Sequence, residues 1–286
     1  MQAITCELCG GSSWQSVYAG LDYPGQRLMR VARCASCGLL SQNPRRTSEA
    51  ATEHYRQLDN AEAMDASTTP RRSAFALELA RLEGMTPGRR LLEVGCASGS
   101  FLVVARERGW DVCGVEPTEA CVRFARARHG LRVHAGVLEA DAFGDERFDA
   151  ITMTYVLEHV PDPSQVIGEA MRLLAPGGIL CLTVPNCGSL EVRLRLRFGA
   201  FSRSPEADAG HMFFFSRETL TRIVEKQGGR VIQVRDGIGG GLVVRRFPRA
   251  LARAPKVTLA GLNLLDRATS LASLGTNLRI WAKRVA

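Results

Sequence analysis

Leu91-Leu92-Glu93-Val94-Gly95-Cys96-Ala97-Ser98-Gly99-Ser100 decides how the rest of this 286-residue chain is read. An apolar run, 90–94, enters a turn with two glycines, and a helical pattern, 100–108, leaves it. That is the strand–turn–helix unit of an open parallel sheet. Upstream, 72–82 carries Phe75, Leu79 and Leu82 at helical spacing and stops at Gly84. Downstream the patterns alternate: strand 111–115, helix 118–128 with Thr118 as its N-cap, then strands 131–134 and 148–154. Helix 164–174, the continuous apolar strand 179–184, helix 216–226 and strands 230–234 and 277–282 complete the series. Continuous apolar strands alternating with helices predict an α/β fold: a doubly wound, mostly parallel, seven-stranded, Rossmann-like sheet covered on both faces.

In such sheets a ligand lies at the carboxyl ends of the strands, near the point where strand order reverses. Gly95 and Gly99 would let backbone approach a ligand where a Cβ would intrude. Glu93 stands at the tip of its strand, and Glu116 ends the next strand, 21 residues past Gly95. An acid at that second position accepts hydrogen bonds from both ribose hydroxyls of an adenosine. A nicotinamide dinucleotide wants the same acid. Its pyrophosphate, however, favours G-x-G-x-x-G and a helix N-terminus free of negative charge. The spacing here is G-x-x-x-G, with a carboxylate at the mouth of the loop. A ligand with a ribose, an ammonium group and no phosphate fits better.

With these residues in place, the sequence resembles the class I S-adenosylmethionine-dependent methyltransferases. The matching pieces are 91–102, VCGVEP (112–117), FDAITMTYVLEHVPDP (148–163), LLAPGGILCLTVPN (173–186) and HMFFFSRETL (211–220). The resemblance implies S-adenosylmethionine as cofactor, held by Glu93, Gly95, Ala97, Gly99, Glu116, Pro117, Leu138 and Tyr155. Ala97 stands where many members have a third glycine, which implies a slightly tighter loop. Val137 stands where relatives often place an acid for the adenine amine, so recognition would fall to the backbone at Leu138, apolar contacts or Glu139. Methyl transfer to oxygen also needs a base, and His159 and His211 are the catalytic candidates. His54, His129 and His134 are assigned no role.

Cys6-Glu7-Leu8-Cys9-Gly10 and Cys34-Ala35-Ser36-Cys37-Gly38 are two C-x-x-C-G knuckles. Four soft thiolates select zinc and by themselves fill its tetrahedral shell, so a closed structural site is favoured over a catalytic one. Residues 15–19 and 27–33 read as short strands around the turn at 22–25. Together they predict a zinc ribbon over 1–46 with a structural zinc ion on Cys6, Cys9, Cys34 and Cys37. Polar residues 47–70, with one helix at 48–58, form a linker to a cofactor-binding domain over 71–286. The remaining cysteines lack partner spacing and read as buried, inert thiols. The double knuckle plus the core resembles zinc-ribbon methyltransferases of bacterial natural-product and glycan pathways.

Composition is that of a folded chain, 45% apolar and 23% charged. No run reaches the ~18 uninterrupted apolar residues of a membrane span, and nothing at the start reads as a secretion signal, so a cytoplasmic protein is expected. Charge is uneven. Residues 187–286 hold 18 Lys/Arg against 7 Asp/Glu, a net +11, so the first 186 sum to −3 against the whole-chain +8. Arginines alternating with apolar residues over 190–198 suggest a strand or extended lid with Arg on one face. The Arg-flanked apolar stripe within 237–275 reads as core packing, a homodimer contact, or a peripheral bilayer contact. The function these readings favour is O-methylation of a small molecule or glycan, including an anionic or lipid-linked one. A zinc-ribbon rRNA methyltransferase and a non-catalytic cofactor-binding scaffold stay open as alternatives. Against nucleic acid, the ribbon region lacks clustered Lys/Arg and stacking aromatics.

Overall fold

The computed structural model describes residues 5–21, 28–45, 47, 50, 53, 61–66, 71–198, 201, 210–237 and 275–285. The expected turn at 22–25, most of the linker helix at 48–58, His54 and the stripe within 237–275 lie outside the described residues. Two compact units divide the chain. One comprises Met1–Arg45, Thr183–Arg222 and Gln233–Ile280; the other comprises Arg46–Leu182, Ile223–Ile232 and Trp281–Ala286. The unit with the cysteine knuckles thus takes in segments that the sequence reading assigned to the 71–286 domain.

In chain order, β1 (Trp14–Leu21), β2 (Leu28–Cys34) and β3 (Leu40–Gln42) come first. Next are α1 (Ala61–Ala66), α2 (Arg72–Glu83), β4 (Arg90–Val94), α3 (Ser100–Glu107) and β5 (Asp111–Glu116). They are followed by α4 (Glu119–His129), β6 (Arg132–Ala135), β7 (Phe148–Thr154), α5 (Pro163–Leu173) and β8 (Leu174–Pro185). The last are α6 (Leu190–Arg197), β9 (Phe213–Phe214), α7 (Arg217–Lys226), β10 (Gly229–Gly237) and β11 (Asn277–Arg284).

Seven strands form one sheet in the order β10-β11-β8-β7-β4-β5-β6. β4 runs parallel to both β5 and β7, and β5 runs parallel to β6. Successive strands therefore progress outward from β4 in one direction and then restart beside it with β7. That reversal makes the carboxyl end of β4 the switch point. Leu91 and Leu92 on β4 are fully buried, as are Leu79 and Leu82 on α2 and Leu102 on α3. Each such leucine contributes about 1.5–3 kcal/mol by leaving water. Leu79, Leu82, Leu91 and Leu102 share one core cluster that packs β4 against α2 and α3, while Leu92 points to the other face of the sheet. Phe75 meets Phe101 edge-on at 5.3 Å in the same layer.

The knuckle-bearing unit contains a second sheet, β1-β2-β3-β9. β1 and β2 pair antiparallel from Trp14↔Cys34 to Leu21↔Leu28. The two-residue strand β9 completes the sheet through Leu40↔Phe214 and Ser41↔Phe213. Met29, Val31, Leu40, Cys187, Val192, Phe201 and Phe214 form the apolar core beneath it.

Residues 190–197 are helical, which corrects the expectation of a strand or extended lid. Ser189 caps the helix, its side-chain oxygen accepting from the Val192 N–H at 3.3 Å. Glu191 and Arg195 pair one turn apart at 2.7 Å. A cap, an i,i+4 ion pair and helix-favouring Leu, Arg and Glu outweigh a pattern of period two.

Candidate functional site

β4, β5 and β7 end at the same rim of the sheet. Parallel register places Glu93 opposite Gly114 and, on its other side, opposite Thr152, so Glu116 lies one β-step beyond Glu93. Both carboxylates are buried, Glu93 7% and Glu116 6% exposed. The two are held differently. Glu116 accepts from the Ala97 N–H through Oε2 at 2.8 Å and from the Thr118 N–H through Oε1 at 2.9 Å. It is fixed in place and ties the β4 loop to the start of α4. Glu93 Oε2 is buried with no hydrogen-bond partner. Burial, with the neighbouring Glu116 adding to it, pushes the Glu93 carboxyl well above the usual range.

The loop between β4 and α3 alternates into left-handed conformations: Gly95 at φ 72°, Ala97 at 48° and Gly99 at 82°. A Cβ on Gly95 would lie 2.5 Å from Val156 Cγ2, and one on Gly99 would lie 2.3 Å from Leu131 Cδ1. The glycines are thus required by positive φ and by contacts within the protein itself, whereas the sequence suggested ligand approach as the reason. Ala97 adopts a conformation that costs an L-residue about 1–2 kcal/mol, and its hydrogen bond to Glu116 holds it there. Tyr155, immediately after β7, is a second non-glycine residue in this region, at φ 58° and 39% exposed.

Pro117 is half-buried and follows Glu116 directly; Leu138 is buried, while Val137 is exposed. The Ala140 N–H beyond them is already bonded to Glu169 Oε2 at 2.7 Å. His159 is half-buried in the turn after β7, its backbone N–H donating to the Val156 carbonyl at 2.9 Å. His211 belongs to the other unit. It is 9% exposed, its carbonyl accepts from Gln42 Nε2 at 2.8 Å, and its ring lies 6.3 Å from that of Phe214.

Three polar residues near the sheet rim escaped the sequence reading. Glu158 is 1% exposed with neither carboxylate oxygen hydrogen-bonded, and burial pushes it up to about 8. It lies in VLEHV (156–160) beside His159, and a single acid in that stretch carries no local signal of its burial. Thr152 is buried, and its hydroxyl makes no hydrogen bond. Asp65 on α1 accepts from Ser100 Oγ at 3.1 Å and faces His129 Nε2 at 3.2 Å, and Ser100 Oγ is also 2.7 Å from Ser98 Oγ. It fastens a helix from the predicted linker to the first turn of α3. Nothing local in the sequence signals this.

In the knuckle-bearing unit, one Sγ from each of Cys6, Cys9, Cys34 and Cys37 lies within 4.8 Å of all the others. Cys6–Cys37 and Cys9–Cys34 are 3.4 and 3.5 Å apart. Zn–S bonds of about 2.3 Å in a tetrahedron put sulfurs about 3.8 Å apart, so the cage has the size zinc requires. Each knuckle closes with Gly10 N–H to Cys6 O (2.7 Å) or Gly38 N–H to Cys34 O (2.9 Å). Those glycines sit at φ 74° and 78°, with nothing near a notional Cβ, so conformation alone demands them. Burial pushes the Cys6 and Cys37 thiols up. A divalent cation bound by the thiolates reverses that. Glu7, between the first pair, forms an ion pair with Arg45, whose guanidinium covers the Phe213 ring at 4.7 Å. The other five cysteines are buried thiols, with burial pushing Cys96 and Cys113 up.

The family described as "methyltransferase domain" matches residues 55–234. A ubiquinone biosynthesis O-methyltransferase of Alkalilimnicola ehrlichii is 36% identical over 115 residues, covering 38% of this chain and 46% of that protein. Another of the same name, from Pseudomonas fluorescens, is 36% identical over 105 residues, 35% of this chain and 45% of its own length. This chain therefore spans about half the length of the curated relatives it matches. Among solved structures, a methyltransferase of Thermotoga maritima, described as a possible histamine N-methyltransferase, superposes with a TM-score of 0.52 at 22% identity. That match covers 82% of this chain and 99% of the other. The [4+2]-cyclase SpnF superposes at 0.54 and 19% identity, covering 85% and 98%. At these identities the structures attest the fold.

Proposed function

This chain belongs to the methyltransferase-domain family, and from that premise we propose that it transfers a methyl group from S-adenosylmethionine to a hydroxyl of a small molecule or glycan. The observation that carries the reading is Glu93: a buried carboxylate with an oxygen no protein group satisfies, beside a second carboxylate, at the switch point of the sheet. Two buried acids at one rim of the sheet repel each other. A cationic ligand with two vicinal hydroxyls resolves both problems at once.

On this reading Glu116, already oriented by its two backbone donors, accepts from the ribose hydroxyls through its remaining lone pairs. Glu93 supplies the compensating negative charge. Gly95, Ala97 and Gly99 shape the floor of the crevice, Pro117 and Leu138 flank the adenine, and Tyr155 faces the methionine portion or the acceptor. When bound, the cofactor supplies a methyl group already activated on a sulfonium. The protein's task is then to align the acceptor, exclude water and take the hydroxyl proton. His159 and His211 are the imidazoles assigned to that proton. Relatives named as O-methyltransferases support oxygen as the acceptor atom. The four cysteines hold zinc as a structural ion that closes the ribbon and has no part in the transfer. Nine cysteines with no disulfide among them fit a reducing, cytoplasmic setting.

Incubating the purified chain with methyl-labelled S-adenosylmethionine and extracts of its host, followed by mass identification of labelled products, tests the proposal. A low-molecular-weight or glycan methyl ether is expected. Label confined to RNA, or no cofactor binding by calorimetry, overturns it.

A further inference from the structure

We propose that the outward face of α6 docks this protein on an anionic phospholipid bilayer. Leu190, Arg193, Leu194, Arg197 and Phe198 are all exposed, at helical positions i, i+3, i+4, i+7 and i+8, and so form one continuous stripe. Leu190 is 45%, Leu194 47% and Phe198 76% exposed. The opposite side is anchored: Val192 is fully buried, and Leu196 packs on the core formed with Met29, Val31 and Phe214. The helix therefore has an inward face already satisfied and a second apolar face left in water.

The charges select the occupant. Arg195 is held by Glu191, but neither Arg193 nor Arg197 makes an ion pair among the described residues. Three large apolar side chains flanked by two guanidiniums that have no ion-pair partner among the described residues match a bilayer interface, where Leu and Phe enter the acyl boundary and Arg reaches the phosphates. A second copy on this face would bring the same guanidiniums together, and Glu191, the one acid of α6, is already held by Arg195. Nucleic acid would leave the leucines unused. The net +11 of residues 187–286 favours approach to a negative surface. Two helical turns with two basic residues imply weak, reversible attachment. The inference rests on the surface of α6 and not on the reaction.

Co-sedimentation of the full chain with vesicles of phosphatidylglycerol in phosphatidylcholine, against phosphatidylcholine alone, is the test. Binding to the anionic vesicles is expected to weaken more than about tenfold in Leu194→Ser/Phe198→Ser. In Arg193→Gln/Arg197→Gln it is expected to weaken about 25-fold at low salt. All four positions are exposed, so both variants should keep wild-type zinc content and denaturation midpoints. A separate probe, Phe198→Trp, should be quenched by brominated phosphatidylglycerol. Equal vesicle binding by wild type and both variants, or no quenching of Trp at 198, overturns the proposal. So does lipid-free dimerisation that the Leu194→Ser/Phe198→Ser change abolishes, or RNA binding lost in the arginine variant without vesicle binding.

Discussion

Replacing Glu116 with alanine removes a hinge between loop and ligand, and its two effects can be separated. The Glu116 carboxylate is 6% exposed and satisfies the Ala97 and Thr118 N–H groups at 2.8 and 2.9 Å. Orphaning a buried donor costs about 1–3 kcal/mol. Two such donors give about 2–6 kcal/mol, reduced toward the lower end by water entering the space the side chain leaves. The Ala97 bond also holds a left-handed residue at φ 48°, so the loop relaxes as well. For binding, two carboxylate–hydroxyl bonds at about 1.5–3 kcal/mol each predict a loss of about 100-fold or more in cofactor affinity. Glu116→Gln keeps one acceptor oxygen but turns an amide N–H₂ toward a backbone donor. It should fall between wild type and alanine in both properties. Urea denaturation reads the first effect, and calorimetry with S-adenosylmethionine, under conditions where each variant is shown to be folded, reads the second. A folded Glu116→Ala protein with unchanged affinity would refute the assignment of the crevice. Unchanged stability would refute the account of the loop.

Four further outcomes follow from the same geometry. Gly99→Ala places a Cβ 2.3 Å from Leu131 Cδ1 at φ 82° and should destabilise the fold by more than about 2 kcal/mol, whereas Ala97→Gly relieves strain and should gain up to about 1 kcal/mol by denaturation. Cys34→Ser should abolish stoichiometric zinc by atomic absorption, and retained zinc would remove the four-thiolate cage. Because burial raises Glu93 in the free protein and a bound cation favours its carboxylate, binding should release a proton and tighten as pH rises toward the Glu93 pKa. Calorimetry in two buffers of different ionisation enthalpy detects that proton, and Glu93→Gln should lose it. Glu158, raised from 4.5 to about 8, keeps its proton in the fold while the unfolded chain ionises. Stability should therefore fall as pH rises between about 5 and 8, and Glu158→Gln should flatten that dependence in melts across this window.

What the sequence revealed and what it hid divide along a physical line. Features set by local pattern were readable. Strands β4 to β7, the helix after Gly99 and both C-x-x-C-G knuckles lie within a residue of their expected places, because each is specified by a few adjacent side chains, whereas β8 begins at Leu174, five residues before the expected apolar run. The placing of Glu93 and Glu116 at one rim was readable too, since adjacent parallel strands in register end on the same side of the sheet. Features set by partners distant in the chain were not. β9 is two residues long and exists because Leu40 and Ser41, far earlier in the chain, offer it an edge. Asp65 matters through Ser100, and no motif joins them. Alternation over 190–198 misled because a period of two reads as a strand only where the backbone has no better option; here Ser189 supplies a cap and Glu191 an i,i+4 partner. The same helix then presents on one face Leu190, Arg193, Leu194 and Arg197, which a strand puts on opposite sides, while Leu196 packs on the core. A change of local structure thus turned two separate patterns into one amphipathic surface.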